Sequence, residues 1–191
     1  MEKEILRMEH ISKSFGGAKA LDDVSFDLRA GEVHALMGAN GAGKSTLMKV
    51  LAGVYMPDSG KIAHHGRVVP IKACVADAQK DGVAMVFQEL NILPHLSVLE
   101  NIFIANEITK NGIYDWKAMK KRAKEVMDEV GIDLDLNMRA GDLPVATQQM
   151  IEITRALNLN SDIIIFDEPT SGLDYFNMLK ISEVIKNFFK R

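Results

Sequence analysis

A glycine-rich stretch, GANGAGKST, occupies residues 38–46 and constrains this chain more than any other feature. It satisfies the pattern G-x-x-x-x-G-K-[ST], in which backbone N–H groups and a helix N-terminus point at phosphate oxygens. The preceding VHALM, residues 33–37, predicts a short strand, and Leu47, Val50 and Leu51 follow at helical spacing. Strand, loop and helix come in the order that a phosphate-binding loop requires.

This pattern assigns chemistry to two side chains of the loop. Lys44 supplies positive charge to the β- and γ-phosphates, and Ser45 offers a hydroxyl to Mg²⁺. A dinucleotide-binding fingerprint starting at Gly41 fits less well, because it would need glycine where Thr46 stands. The residues expected to contact the nucleotide are Gly38, Ala39, Asn40, Gly41, Ala42, Gly43, Lys44, Ser45 and Thr46.

A second motif, IIIFDEPT, begins about 120 residues downstream of this loop. Its apolar run, residues 163–166, predicts a strand buried on both faces of a parallel sheet, with Asp167 at the carboxyl end. There Asp167 can hold the Mg²⁺ shell, and Glu168 can orient or deprotonate an attacking water. An acidic pair after a strand is by itself more often the start of a loop. Together with the phosphate loop, it predicts a hydrolysis site.

The remaining pattern indicates a mixed α/β chain. Alternating apolar residues on either side of Gly16–Gly17 predict strands. Further on, an amphipathic helix is predicted from Trp116 to Gly131, and another starts near Pro144. We therefore expect one domain, with a core formed by residues 1–88 and 157–191 and a helical subdomain at 89–156.

Composition narrows the class of function and the compartment. The net charge of −3 argues against a broad basic face for nucleic acid. The lone Cys74 fits a reducing compartment. The first ten residues lack the apolar core of a signal peptide, and the apolar runs are too short to cross a bilayer. We expect a cytoplasmic protein that can dock on a membrane protein.

The sequence resembles the ATP-binding subunit of ABC transporters over essentially its whole length, with the motifs in the same order. KSFGGAKALDDVSFDLRAGEVHALMGANGAGKSTLMKVLAG is similar to that family's opening, and VFQELNILPHLSVLENIF to its Q-loop segment. The resemblance implies a P-loop NTPase fold with a mainly parallel sheet, an N-terminal antiparallel β region and a helical insertion. It also implies that Phe15 stacks on adenine. Gln88 would reach Mg²⁺ and water, and would join the core to the insertion.

FQELN, IYDWKAM and QQMIEI resemble the subgroup that energises import of ribose- or galactose-type monosaccharides. This implies that the chain binds and hydrolyses ATP, with Mg²⁺, to drive sugar import from the inner face of the cell membrane. The implied partners are a second ABC ATPase domain (in a homo- or heterodimer), a membrane permease and, indirectly, a sugar-binding protein. SGLD, residues 171–174, resembles the loop that crosses the dimer interface.

The resemblance breaks at the signature motif, which reads roughly L-S-G-G-Q in the family and LPVATQQ at residues 143–149 here. Proline replaces the serine, so a capping hydroxyl and one donor to the partner's phosphate are lost. We expect a weakened signature helix. Its nucleotide-contacting residues would be Pro144, Val145, Ala146, Thr147 and Gln148.

The family also continues to a switch histidine beyond the helix that follows SGLD. All five histidines of this sequence precede residue 163, so none takes that place. This leaves an alternative: a C-terminally truncated Mg-ATP-binding module with little or no turnover, lacking the switch histidine and the second domain. A non-transport ABC protein acting on DNA or ribosomes is disfavoured, because the sequence has neither a long coiled coil nor a basic arm.

Overall fold

The computed structural model describes residues 3–71, 73–169 and 175–188. The chain divides into two compact units, residues 1–84 and 85–191, and each is described by itself. The segment SGLD lies outside the described residues. The expected division into a core (1–88 and 157–191) and a helical subdomain (89–156) stays a prediction.

The first unit contains an antiparallel sheet, as predicted for the N-terminal region. Its strands, in the spatial order β2-β1-β3-β4, are β1 (Glu4–Phe15), β2 (Ala18–Arg29), β3 (Ser59–His64) and β4 (Arg67–Val69). Gly16 and Gly17, with φ of 53° and 87°, make the turn between β1 and β2. The side chains of Leu6, Met8 and Ile11 on β1 are fully buried and anchor the sheet.

The first unit also contains, among its described residues, the helices α1 (Lys44–Leu51) and α2 (Val75–Lys80). The helix predicted after the phosphate loop is confirmed as α1, and Leu47, Val50 and Leu51 are buried, as their spacing indicates. Residues 44–46 therefore stand on the first turn of a helix whose apolar stripe packs into the unit.

The strand predicted at residues 33–37 is wrong: the structure assigns no strand there. A strand is stable when a neighbour receives its backbone hydrogen bonds and its apolar side chains are covered. Neither condition is met within the described residues. Segment 33–37 belongs to no sheet, and the side chains of Val33 and Met37 are 65% and 88% exposed.

The second unit is mainly helical. Its longer elements are β5 (Val83–Val86, at the boundary of the units), α3 (Val98–Phe103), α4 (Trp116–Val130), α5 (Val145–Asn158), β8 (Ile163–Phe166) and α6 (Tyr175–Phe188). A short hairpin, β6 (Thr109–Lys110) and β7 (Ile113–Tyr114), precedes α4. Helices α3, α4 and α5 pack on one another, and α6 packs on α4. The predicted helices are confirmed as α4 and α5.

Caps fix the ends of these helices. The Asp115 side chain accepts a hydrogen bond from the N–H of Ala118 at the start of α4, and Gly131 ends that helix with φ of 74°. Ser97 and Glu100 form a capping box at the start of α3. Both ends of α4 and the start of α3 follow from the sequence chemistry at those positions.

The strand predicted at 163–166 is confirmed as β8, but it is not buried on both faces. Ile163 and Ile165 are buried, whereas Ile164 and Phe166 on the other face are only half-buried. In the part of the chain that the structure describes, β8 pairs with β5 alone. An unbroken apolar run indicates a central strand of a larger sheet. A strand in a two-stranded sheet is covered less completely than a central strand.

Candidate functional site

The phosphate loop requires glycine at its last position before α1. Gly43 has φ of 88°, and a Cβ added there would lie 2.5 Å from the carbonyl oxygen of Ala20. A side chain at this position is therefore excluded both by conformation and by space. Gly43 is the N-cap of α1 and has no side chain that could cap the N–H groups of the first turn. This arrangement is suited to binding an anion.

Lys44 places its positive charge across this loop. Its Nζ donates to the carbonyl oxygens of Gly38 (2.8 Å) and Ala39 (2.9 Å). The side chain thus folds back over the segment that an incoming phosphate would meet. Residues 38–42 are exposed, and Ser45 and Thr46 are half-buried on the first turn of α1. All nine residues that the motif predicts lie on this one loop and helix start.

Phe15 stands at the end of β1 with its ring exposed. The ring of Tyr55 meets it edge to face at a centroid distance of 5.0 Å, and Lys13 Nζ lies 5.3 Å from its centroid. An exposed aromatic face held by two neighbours can stack on a nucleobase. Tyr55 was not singled out from the sequence, because nothing in the local pattern marks a residue 40 positions away as a neighbour of Phe15.

In the second unit the structure brings Gln88 and Glu168 together. The N–H of Asp167 donates to the carbonyl oxygen of Val86 at 3.0 Å, so the chain leaving β8 is held against the end of β5. Two residues beyond Val86, Gln88 Nε2 donates to Glu168 Oε2 at 3.2 Å. The side chains of Gln88 and Glu168 therefore meet at one end of these strands, and the backbone of Asp167 is held at the same end.

Glu168 holds an uncommon backbone conformation, with φ of 49°. For a residue other than glycine the left-handed region costs about 1 kcal/mol or more, and such conformations concentrate at functional sites. Six other described residues that are not glycine also have positive φ, so this conformation fits a functional site but does not by itself replace the simpler interpretation of a loop start. The role of Glu168 in hydrolysis stays a prediction.

The segment that replaces the family's signature motif forms the start of α5. Pro144 is the N-cap, and its carbonyl oxygen accepts hydrogen bonds from the N–H groups of Thr147 and Gln148. It makes no side-chain capping bond, as expected when serine is replaced. Gln148 Nε2 donates to the carbonyl oxygen of Leu143 at 2.8 Å, which ties the approach to the helix. Val145 is exposed at the tip, and Ala146 and Thr147 are half-buried.

Sequence reasoning missed a polar network that holds the segment after Gln88. Glu152 Oε1 on α5 accepts from the N–H of Asn91 at 2.7 Å, and Arg155 donates to the carbonyl oxygens of Asn91 (2.9 Å) and Asn101 (2.7 Å). The fully buried Asn101 side chain in turn bonds the backbone of Leu93 in both directions. The helix that begins at the signature segment therefore also fixes the residues that follow Gln88.

Burial perturbs both charged members of this network. Glu152 is only 5% exposed, and burial raises the pKa of its carboxyl, with the bond from Asn91 and the charge of Arg155 acting in the opposite direction. Burial likewise lowers the pKa of Arg155. The second carboxyl oxygen, Oε2 of Glu152, is buried with no hydrogen-bond partner among the described residues. The charged form of Glu152 is therefore disfavoured in the folded chain.

We expect Glu152→Gln to preserve or increase stability at neutral pH and Glu152→Ala to lower the free energy of unfolding by about 1–3 kcal/mol. Glutamine keeps an acceptor for Asn91, whereas alanine removes it. Because the folded-state pKa is raised, the contribution of Glu152 is fully present below the unfolded-state pKa and is lost as pH rises through the folded-state pKa. Urea unfolding at about pH 4 and about pH 8 measures this. Wild-type stability that rose relative to Glu152→Gln with increasing pH would contradict it.

No helix among the described residues is long and apolar enough to cross a membrane.

A family model described as ABC transporter matches residues 21–171. A putative ribose/galactose/methyl galactoside import ATP-binding protein from Agrobacterium fabrum is 46% identical over 183 residues, which is 96% of this chain and 36% of the relative. The ribose import ATP-binding protein RbsA of Shouchella clausii is 52% identical over 171 residues, 88% of this chain and 34% of the relative. The chain thus spans about a third of the length of these curated relatives.

Solved structures agree with the sequence relatives. The fold is similar to MJ1267, an ATP-binding cassette of an ABC transporter, with a TM-score of 0.85 and 30% identity over 98% of this chain and 78% of that one. It is also similar to MJ0796, a bacterial ABC transporter cassette solved as a dimer, with a TM-score of 0.80 and 25% identity over 97% of this chain and 83% of that one. ABC ATPases generally bind ATP with Mg²⁺, and those of importers dimerise and work with membrane permeases. This chain belongs to the ABC transporter family and has the P-loop NTPase fold of its ATP-binding cassettes.

Proposed function

We propose that this chain binds Mg-ATP and hydrolyses it to energise monosaccharide import by an ABC transporter. The observation that carries the proposal is the phosphate loop, with Lys44 Nζ held 2.8 Å from the carbonyl oxygen of Gly38 above a helix N-terminus. Relatives named for import of ribose, galactose and methyl galactoside support a sugar of that class.

The side chains fit Mg-ATP chemically. Gly43, where any Cβ would clash, and the uncapped start of α1 suit close approach by phosphate oxygens. Ser45, Asp167 and Gln88 carry the hard oxygen donors that Mg²⁺ prefers. When bound, Mg²⁺ neutralises charge on the phosphates. Phe15 would stack on adenine, Lys44 would bond the β- and γ-phosphates, and residues 38–46 would surround them.

Glu168 would orient the attacking water and accept its proton, with Gln88 as its positioning partner. The bond from Gln88 Nε2 leaves Glu168 Oε1 available for this contact, since only Oε2 accepts in that pair. Phosphoryl transfer needs little beyond positioning and charge stabilisation, and a fixed carboxylate supplies the first of these.

The tip of α5 would contact nucleotide held by a second ABC ATPase domain, through Pro144, Val145, Ala146, Thr147 and Gln148. In a head-to-tail pair each domain would complete the site of the other. Motion would pass to a membrane permease through residues 94–103, in a helical subdomain formed by residues 89–156 beside a core formed by 1–88 and 157–191. A sugar-binding protein would act indirectly, and the chain would sit peripherally on the inner face of the cell membrane.

A second function is favoured by one observation: Pro144 offers no side-chain capping bond at the tip of α5. Because Pro144 lacks the serine hydroxyl that would donate to the partner's phosphate, the chain would hold Mg-ATP and turn it over slowly or not at all. This alternative keeps the role of the phosphate loop and removes that of Glu168, so the two functions separate on hydrolysis rather than on binding.

Uptake in cells tests the transport assignment. Deleting the gene should reduce uptake of radiolabelled ribose or galactose to background, and restoring the intact gene should recover it. Uptake of a labelled amino acid is the control and should not change. If both sugars were still taken up at the normal rate, the assignment to import of this sugar class would be wrong.

A further inference from the structure

The hairpin before α4 presents apolar side chains to the outside. Asn111 and Gly112, with φ of 54° and 78°, make the two-residue turn between β6 and β7. Ile113 is 73% exposed, Tyr114 51% and Trp116 45%, and the rings of Tyr114 and Trp116 meet edge to face at 5.8 Å. Among the described residues nothing covers this group, which we call the aromatic tip (Ile113, Tyr114 and Trp116).

The tip is held firmly on the end of α4. The N–H of Asp115 donates to the carbonyl oxygen of Ile108 at 2.8 Å, which closes the base of the hairpin. The carboxylate of Asp115 accepts from the N–H of Ala118 at 2.9 Å, which starts the helix. A contact made by the tip therefore holds α4 in a fixed orientation. The tip loses little conformational entropy when it binds.

The N-terminal half of the outer face of α4 is basic, whereas the exposed acidic side chains of Glu125, Asp128 and Glu129 occupy its C-terminal half. Between residues 105 and 124 there are six basic and two acidic side chains, in a chain whose net charge is −3. Met119, Ala123 and Val126 are buried and define the inner face. By helical spacing, the exposed side chains of Lys117, Lys120, Lys121 and Lys124 lie together on the opposite face, which we call the basic face.

Part of this charge is balanced locally, because Glu125 and Asp128 lie four residues after Lys121 and Lys124 on the helix. Lys121 Nζ lies 3.8 Å from Glu125 Oε1, and both side chains of this pair are highly exposed. Lys120 Nζ donates a hydrogen bond to Asn137 Oδ1. Within the described residues, neither Lys117 nor Lys124 has a carboxylate within ion-pair distance. The basic N-terminal half of α4, beside a projecting tip of Trp, Tyr and Ile, has the chemistry of segments that lie at the surface of anionic bilayers.

We propose that the aromatic tip and the basic face form a contact surface for an anionic lipid bilayer. Tyr114 and Trp116 suit the headgroup region because each ring combines an apolar body with a polar N–H or O–H. The four lysines would lie near anionic headgroups, each strengthening partitioning by about fivefold. Exposed Trp and Tyr beside lysines are typical of segments at a bilayer interface, and this favours lipid over an acidic protein. The proposal does not depend on ATP binding or on the proposed function.

The single tryptophan, Trp116, makes the test direct, because its fluorescence reports on the tip alone. The chain is titrated with vesicles of phosphatidylcholine, with or without about 30% phosphatidylglycerol. We expect a blue shift and saturable binding only with the anionic vesicles, weakening as salt is raised. Lipid brominated along its acyl chains should quench Trp116. No binding, or equal binding to neutral vesicles, would overturn the proposal.

Variants separate the tip from the basic face. Replacing Lys117 and Lys124 by glutamine should weaken binding by about 25-fold, whereas the matched pair Lys3→Gln and Lys61→Gln removes two exposed charges elsewhere and should change it little. Ile113→Ser with Tyr114→Ser should weaken binding about tenfold. Equal effects of the two lysine pairs would indicate unspecific charge attraction and overturn the proposal. A Trp116 shift with polyglutamate but not with vesicles would overturn it in favour of an acidic protein partner.

Discussion

Replacing Lys44 by alanine should weaken binding of Mg-ATP by about 100-fold. Lys44 Nζ already lies within 2.9 Å of two carbonyl oxygens of the phosphate loop, so its charge needs little rearrangement to meet a phosphate. Each hydrogen bond to a charged group contributes about 1.5–3 kcal/mol, and a 100-fold loss corresponds to about 2.7 kcal/mol, the value of one such bond. Titration calorimetry of the chain with Mg-ATP measures the change in affinity.

Lys49→Ala is the matched control, since Lys49 lies in the last turn of the same helix. It removes an equal charge and a similar length of side chain from α1. This substitution removes a favourable interaction with the helix dipole, worth roughly a few tenths of a kcal/mol. The affinity for ATP should not change. If Lys44→Ala bound Mg-ATP as tightly as Lys49→Ala does, the loop would not be the phosphate site.

Local chemistry predicted much of the fold. The spacing of apolar residues predicts α1, α4 and α5, because a helix buries one stripe of side chains whatever it packs against. Caps at Asp115 and Gly131 mark both ends of α4. The turn at Gly16–Gly17 predicts the first hairpin, since glycine adopts positive φ without cost. In each case the information lies within a few residues of the element.

The strand expected at residues 33–37 could not be decided in this way. Its apolar run is compatible with a buried strand, but a strand depends on a neighbour that is distant in sequence. The structure leaves Val33 and Met37 exposed and the segment unpaired among the described residues. The same dependence explains why β8, beside β5 alone, buries one face where the pattern predicts two.

The residues of the candidate site differ in the same way: some follow from local sequence, and others depend on residues that are distant in sequence. Gly43 and Lys44 follow from one motif of nine residues, because the chemistry of a phosphate loop is local. The bond between Gln88 and Glu168 joins residues 80 positions apart, and only the family resemblance indicated that both belong to one site. The network of Glu152 and Arg155 was missed. Its signal was two charges one turn apart in a mostly apolar stretch of helix, residues 150–157.

Glu168→Gln should bind Mg-ATP within about twofold of the wild-type affinity and hydrolyse it about 10²–10⁴-fold more slowly. Glutamine is nearly the same shape, and its carbonyl oxygen can still accept the hydrogen bond from Gln88 Nε2. The local structure is therefore kept while the proton acceptor for water is removed. Phosphate release under saturating Mg-ATP measures turnover, and titration calorimetry measures the affinity.

Glu89→Gln is the matched control, because Glu89 is an exposed carboxylate one residue beyond Gln88. It should hydrolyse ATP at the wild-type rate. An equal loss in both variants would show that general charge near Gln88, rather than a base at residue 168, supports turnover. If the wild-type rate did not exceed that of Glu168→Gln while Lys44→Ala still lost ATP binding, the chain would be a Mg-ATP-binding module. Binding tests the phosphate loop and turnover tests Glu168, so the two functions are resolved by two separate readouts.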